Sequence, residues 1–162
     1  MEFVHIPVLL EECIDGLDIN PDGIYVDGTA GGAGHSSAIV SRLSDKGQLI
    51  AFDRDPDAVK VASDRLSPYS NARVIHSNYS RMREALDELG IGLVDGVLMD
   101  LGVSSYQLDE ESRGFSYHGD APLDMRMDTS SKLDAAYVIN NYSEEQLARI
   151  IWEYGEERHS RH

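Results

Sequence analysis

The sequence predicts an α/β fold built on a doubly wound parallel sheet, and three observations carry that reading. Short, mostly apolar runs recur at Ile24–Asp27, Gln48–Asp53, Ala72–His76 and Gly96–Asp100. Segments with helical spacing of apolar residues separate them, near 34–43, 56–66 and 80–89. Apolar strands joined by crossover helices form a parallel sheet covered on both faces. The third observation is a glycine-rich turn between the first strand and its helix, at the edge where such sheets hold ligands.

The elements follow in order. Pro7 with Val8, Leu9, Leu10, Cys13, Ile14 and Leu17 predicts an opening helix that has Pro7 in its first turn. Asn20-Pro21-Asp22-Gly23 is a turn. Pro56 falls at the first position of a helix that Asp55 is placed to cap, and Lys46-Gly47 and Leu89-Gly90 mark helix exits. After Asp100 the alternation stops, and residues 101–130 carry Gly, Ser, Asp and Met without a sustained period. So long a stretch without regular structure points to function. Helices are expected near 132–141 and 144–157, the second opening on a capping box at Ser143-Glu144-Glu145-Gln146. Domain boundaries are placed at 1–130 for the sheet domain and 131–162 for the start of a helical one. Only four strands can be counted. The sheet is therefore expected to be incomplete on its C-terminal side, in an N-terminal portion of a longer protein. The edge of its fourth strand would then be open to homodimerisation or aggregation.

Composition narrows the classes. With 162 residues, 41% hydrophobic and 27% charged, the chain is one of ordinary globular make-up. No apolar run approaches the roughly 20 residues that span a bilayer. The single cysteine, Cys13, excludes an internal disulfide, and the cytoplasm is the expected location. A net charge of −15 is unusual for a nucleic-acid binder and requires any RNA-facing patch to be local. His5, His35, His76, His118, His159 and His162 show no metal-ligand spacing, so no metal is expected.

The turn Asp27-Gly28-Thr29-Ala30-Gly31-Gly32-Ala33-Gly34-His35 carries the chemistry. Four glycines in seven positions leave backbone N–H groups bare to a polar ligand. A dinucleotide fingerprint starting at Gly32 finds Gly34 in place but Ser37 where its third glycine belongs. Asp27, at the end of strand one, would repel a pyrophosphate and attract a cationic amine, such as the α-amino group of S-adenosylmethionine. Asp53 stands 19 residues beyond Gly34 and is placed to accept from a ribose diol. Tyr79 is a candidate to stack on adenine, although plain packing explains it nearly as well. Asp100, at the end of strand four, would face the reacting end of the cofactor, with Gln107 close behind. Asp100 or a backbone carbonyl in Leu101–Val103 is the candidate proton acceptor. In the long loop, Arg113 and Arg126 suit RNA phosphates or internal salt bridges about equally. Cys13 reads as core, which counts against attack on a pyrimidine carbon. A nicotinamide oxidoreductase and a non-catalytic cofactor-binding fragment are the competing readings.

Several phrases together resemble one family. They are His5-Ile6-Pro7-Val8-Leu9-Leu10, Asp27-Gly28-Thr29 with Gly34-His35-Ser36, Asp53-Arg54-Asp55, and Asp100-Leu101-Gly102-Val103-Ser104-Ser105 with Gln107-Leu108-Asp109. Arg113-Gly114-Phe115-Ser116, Pro122-Leu123-Asp124-Met125-Arg126-Met127-Asp128 and Tyr154-Gly155-Glu156-Glu157 complete the set. The chain is similar to the N-terminal half of the bacterial MraW-type methyltransferases, which act on the N4 amine of a cytosine in small-subunit ribosomal RNA. The resemblance implies a class I S-adenosylmethionine-dependent, Rossmann-like fold with a helical domain inserted after strand four. Carried over by position, the cofactor contacts would be Ala33, Gly34, His35, Asp53, Tyr79, Asp100 and Gln107. It implies ribosomal RNA, in the small subunit, as the partner of the full-length protein, and a fragment that may itself be inactive. Tyr79 stands where that family often has phenylalanine, and Ala33 where glycine is common.

Overall fold

The computed structural model describes residues 7–161, so His5, Ile6 and His162 lie outside the described residues. Two compact units divide the chain, Met1–Ser104 and Ser105–His162. The second takes in residues 105–130, which the sequence reading attaches to the sheet domain. Backbone bonds show why this loop belongs with the helices: Ala135 N–H donates to Asp124 and Ala136 N–H to Leu123, each at 2.8 Å.

The first unit runs α1 (Leu10–Leu17), β1 (Ile24–Asp27), α2 (Gly34–Val40), β2 (Gln48–Asp53), α3 (Pro56–Leu66), β3 (Ala72–His76), a 3-10 turn at Tyr79–Arg81, α4 (Met82–Glu88) and β4 (Gly96–Leu98). All pairings are parallel, in the order β3-β2-β1-β4. The chain therefore steps outward from β1 to β3, then returns across the sheet to lay β4 on the other side of β1. That reversal is the switch point of a doubly wound sheet.

Side-chain alternation along the strands divides the core in two. Tyr25, Leu49 and Ala51 pack on one face with Ile14, Ile39, Val40, Ala62 and Leu66 of the first three helices. Val26, Ile50 and Phe52 point to the other face and meet Leu86 and Ile91. Burying one side chain the size of Phe52 contributes about 1.5–3 kcal/mol. β1 and β2 have both faces covered, which is why they read as continuous apolar runs.

Several boundaries differ from those expected, each for a local reason. The opening helix starts at Leu10 rather than at Pro7, because Leu9 adopts a left-handed conformation with φ 51°. The Pro7 ring lies so close to Gly34 that a Cβ there would collide with it. α2 ends at Val40, since the N–H groups of Arg42 and Leu43 turn back to Ile39 and Val40 in tighter, three-residue bonds. β4 ends at Leu98 because the next backbone donor, at Asp100, leaves the ladder for the Thr29 hydroxyl.

The second unit contains α5 (Ser105–Asp109), a 3-10 turn at Glu111–Arg113, α6 (Ala135–Asn141) and α7 (Glu144–Glu153). Ser143 and Gln146 close the expected capping box on α7. Both loop arginines are engaged internally. Arg113 is buried and donates to the carbonyls of Arg126 and Met127 at 3.0 and 2.9 Å. Arg126 forms a two-pronged ion pair with Asp124 and also donates to the carbonyl of Ser131 at 2.7 Å. The internal reading of these residues is the one their bonds support.

A buried carboxylate belongs to the packing of the first unit. Asp27 is fully buried, and accepts from Ser36 Oγ at 2.6 Å and from Thr29 N–H at 3.0 Å. Burial raises its pKa above the ordinary carboxylate value, and the two hydrogen bonds only partly oppose this. The folded state thus holds this proton more tightly than the unfolded chain. The associated stability is complete at low pH and is lost as pH rises through the raised value. Asp27→Asn, which retains polar contacts without the charge, is expected to lose less stability with rising pH than the native protein. Denaturant unfolding at about pH 4 and about pH 7 reads the difference, and parallel pH profiles for the two proteins would contradict it. Gly114→Ala tests the second unit. Gly114 has φ 71°, and a Cβ there would strike the Pro122 carbonyl. A loss of about 1–3 kcal/mol is expected, read as a lowered thermal midpoint; an unchanged midpoint would count against it.

Candidate functional site

The C-terminal ends of all four strands deliver polar groups to one edge of the sheet. β1 feeds the glycine turn, β2 ends on Asp53, β3 leads through Asn78 to Tyr79, and β4 leads to Asp100. The turn must leave β1, pass over this edge and enter α2. Gly31 takes φ 48° and Ala33 φ 58°, so Ala33 occupies a left-handed position that glycine fills more easily. Ala33 is fully buried, and its N–H donates to the Ala30 carbonyl at 2.6 Å.

The turn is held at four places. Asp27 ties Thr29 to Ser36 from beneath. The Thr29 hydroxyl accepts from Asp100 N–H at 2.7 Å, linking the turn to the end of β4. Asp53 accepts from Gly31 N–H at 2.8 Å, linking it to β2. Arg65 on α3 donates to the Gly32 carbonyl at 2.5 Å. His35, also buried, donates through Nε2 to the Val8 carbonyl at 3.1 Å and fixes the segment before α1 against α2.

Within the first unit the structure brings together Asp27, Ala33, Gly34, His35, Asp53, Tyr79 and Asp100. Their exposures differ in ways that matter. Asp53 is half-buried, and its second oxygen accepts from Asp55 N–H at 2.9 Å. Desolvation raises its pKa, against the lowering effect of these backbone donors. A carboxylate has about four acceptor sites, so the backbone donors at Gly31, Arg54 and Asp55 still leave capacity for a ligand hydroxyl. Tyr79 is 41% exposed at the head of its 3-10 turn, which favours a ring available to a ligand over one spent on packing. The side chain of Asp100 lies at an exposed position. Asp27 is deeper: its oxygens face Ser36 and Thr29, and direct contact with a ligand would require one of those bonds to be exchanged. Gln107 lies in the second unit, buried on α5.

Thr29, Ser36 and Arg65 were not singled out from the sequence. The hydroxyls leave a readable trace, since Thr29 and Ser36 lie two and nine residues beyond Asp27 in a segment already marked as a site. Arg65 is 33 residues from Gly32 and leaves none.

Chemically, this edge is suited to a neutral or cationic ligand rich in donors. An ionised Asp53 disfavours a pyrophosphate, and its charge raises the pKa of the buried Asp27 further. Among the described residues no group of His, Cys, Asp and Glu is arranged to hold a metal ion. No described helix is long and apolar enough to cross a membrane.

Comparison with known proteins agrees with this architecture. A Clostridium thermocellum structure described as a candidate rRNA methylase superposes with a TM-score of 0.50 at 18% identity, covering 63% of this chain and 58% of that one. At that identity the likeness is one of fold, a Rossmann-like parallel sheet with flanking helices. Two relatives are much nearer in sequence, and each is named ribosomal RNA small subunit methyltransferase H. The one from Clostridium botulinum (strain 657) is 58% identical over 161 residues, 99% of this chain and 52% of the relative. The one from Clostridioides difficile (strain 630) is 56% identical over 158 residues, 97% of this chain and 51% of the relative. The chain spans about half the length of the curated relatives it matches. The sequence model of the MraW methylase family matches residues 2–162, and the chain belongs to that family.

Proposed function

We propose that the first unit binds S-adenosylmethionine along the C-terminal edge of β1–β4. In this reading the protein transfers a methyl group to the exocyclic N4 amine of a cytosine in small-subunit ribosomal RNA. The observation that carries the proposal is the contact between the end of β2 and the glycine turn: Asp53 accepts from Gly31 N–H at 2.8 Å. A ribose held by Asp53 therefore lies directly beside the glycine turn, whose Gly28, Thr29, Ala30, Gly31 and Ala33 N–H groups are engaged within the protein rather than bare as the sequence suggests. The names of the relatives supply the RNA substrate, and a cytoplasmic location follows from it.

The residues present fit this cofactor. Asp53 offers acceptor capacity to a ribose hydroxyl, Tyr79 offers an exposed ring to adenine, and Gly31 to Gly34 leave little side chain to obstruct the methionine portion. Asp27 lies behind the turn and holds Thr29 and Ser36 in place rather than meeting the ligand. Gln107 enters only by family resemblance, and the site on the first unit stands without it. When bound, S-adenosylmethionine supplies a methyl group already activated by its sulfonium.

The chain's own task is alignment and proton removal. The cytosine amine is a poor nucleophile because its lone pair is delocalised into the ring. Fixing its nitrogen in line with the methyl can account for roughly 7–11 kcal/mol of the barrier. Asp100 is placed to accept one amine proton at its carboxylate as the nitrogen becomes substituted. Its backbone N–H is anchored on Thr29, which keeps the residue at the end of β4. Proton acceptance of this kind contributes about 10²–10⁴-fold in rate. A carbonyl in Leu101–Val103 is the alternative acceptor. No covalent adduct with the base is required, in keeping with Cys13 packing against the hydrophobic core.

Calorimetric titration of the chain tests the cofactor, with S-adenosylmethionine expected to bind and NAD not. Binding of NAD alone would overturn the proposal. Hydrogen bonds to a charged group contribute about 1.5–3 kcal/mol each, so Asp53→Ala is expected to weaken S-adenosylmethionine by about 10- to 100-fold. Because burial raises the Asp53 pKa, affinity is expected to fall as pH drops through that raised range. Asp53→Asn should bind weakly at every pH. The transfer step is read separately, by nucleoside analysis of small subunits incubated with the protein and labelled cofactor. Label in N4-methylcytidine is expected, and label on another base would contradict the assignment. Asp100→Ala is expected to slow transfer by about 10²–10⁴-fold; near-normal turnover would move the acceptor role to the backbone.

A further inference from the structure

The second unit contains a cavity of about 650 Å³ between α7 and the segment that follows it. Its floor is the small, buried Ala148, and its walls carry Arg149, Trp152, Arg158, His159 and Arg161. Only one acid, Glu145, is among its lining residues. This concentration of cations is at odds with a chain whose net charge is −15. Elsewhere the described arginines and lysines are largely committed, as in the pairs Arg42–Glu11, Lys46–Asp22, Arg81–Glu84, Arg83–Asp87 and Arg126–Asp124. Arg149 is steadied by Glu153 at 2.8 Å, whereas Arg158 has no ion pair among the described residues. Trp152, the only tryptophan of the chain, is 56% exposed at the same wall.

We infer that this cavity is a binding site for single-stranded RNA, in which Arg149, Arg158 and Arg161 receive phosphates and a base stacks on Trp152. An exposed aromatic plane interleaved with guanidinium groups matches a ligand that alternates bases with phosphates. A flat membrane surface would not enter a concave cavity of this kind, and an acidic peptide would use the cations without a ring to stack on the indole unless it carried an aromatic side chain. The acidic remainder of the surface does not defeat the site, because at physiological salt charges more than about 8 Å away are largely screened. It does confine a polyanion to this one region. The inference rests on the reading of ribosomal RNA as substrate, and adds to it a contact area on the second unit. A free nucleotide shares the same chemistry, a base beside a phosphate, and the test separates the two.

The 162-residue chain is titrated with a single-stranded oligoribonucleotide and, in parallel, with cytidine monophosphate, reading the fluorescence of Trp152. Saturable quenching by the oligonucleotide is expected. Its affinity should fall with salt at a logarithmic slope of about −0.7 per phosphate engaged. The double variant Arg158→Gln/Arg161→Gln is expected to lose at least about tenfold in affinity and to show a shallower slope. Both positions are exposed, and circular dichroism confirms that the helices persist. Unchanged RNA affinity in the double variant, or equal saturation by the monophosphate, would overturn the inference. S-adenosylmethionine binding is measured on the same samples. A chain that binds the cofactor but no RNA refutes this site alone, and one that binds RNA but no cofactor refutes the proposed function alone.

Discussion

The first unit depends on a carboxylate placed where carboxylates are costly. Asp27 ends the central strand, is fully buried, and is stabilised by one hydroxyl from α2 and one backbone N–H from the turn between them. Removing one partner of a buried charged hydrogen bond costs more than the bond contributes, because the remaining group stays desolvated. The three pieces are therefore constrained to move together. The strand end, the glycine turn and the start of α2 form one clasp, and every other contact of the site is built on it.

From this clasp the geometry of the edge follows. The sheet order reverses at β1, so the turn has β2 on one side and β4 on the other. Asp53 secures it from the first and Asp100 from the second, each through a single backbone N–H. A turn held on both sides, with the N–H groups of Gly28, Thr29, Ala30, Gly31 and Ala33 already bonded within the protein, is organised before any ligand arrives. Such preorganisation reduces the ordering cost that binding must otherwise overcome. It also accounts for why the same residues serve stability and function here, and why a substitution at Asp27 or Asp53 affects both.

Much of this was legible in the residues. β1 and β2 announced themselves because their apolar runs are covered on both faces, and Asp55 and Ser143 cap their helices as their side-chain chemistry dictates. The edge of the sheet was readable from Asp27, the glycines and Asp53, whose spacing is a local property of one βαβ unit. What escaped was short or distant. A five-residue helix such as Ser105–Asp109 is too brief to show a 3.6-residue period. Leu9 in a left-handed conformation follows from the docking of Pro7 against Gly34, residues far apart in the chain. The neutralisation of Arg113 and Arg126 by carbonyls and Asp124 depends on the path of the loop, which composition does not specify.

The central claim is that Asp53 is a desolvated carboxylate waiting for hydroxyl donors, and that Asp27 is a buried anchor behind it. Carboxyl-carbon NMR titration of the two aspartates, with and without S-adenosylmethionine, measures this directly. Both should titrate above ordinary carboxylates in the free protein. On adding the cofactor, the Asp53 pKa should fall sharply as its charge gains new donors, while the Asp27 signal keeps the environment set by Ser36 and Thr29. An Asp53 that titrates as a free surface group, unmoved by the cofactor, would contradict the account.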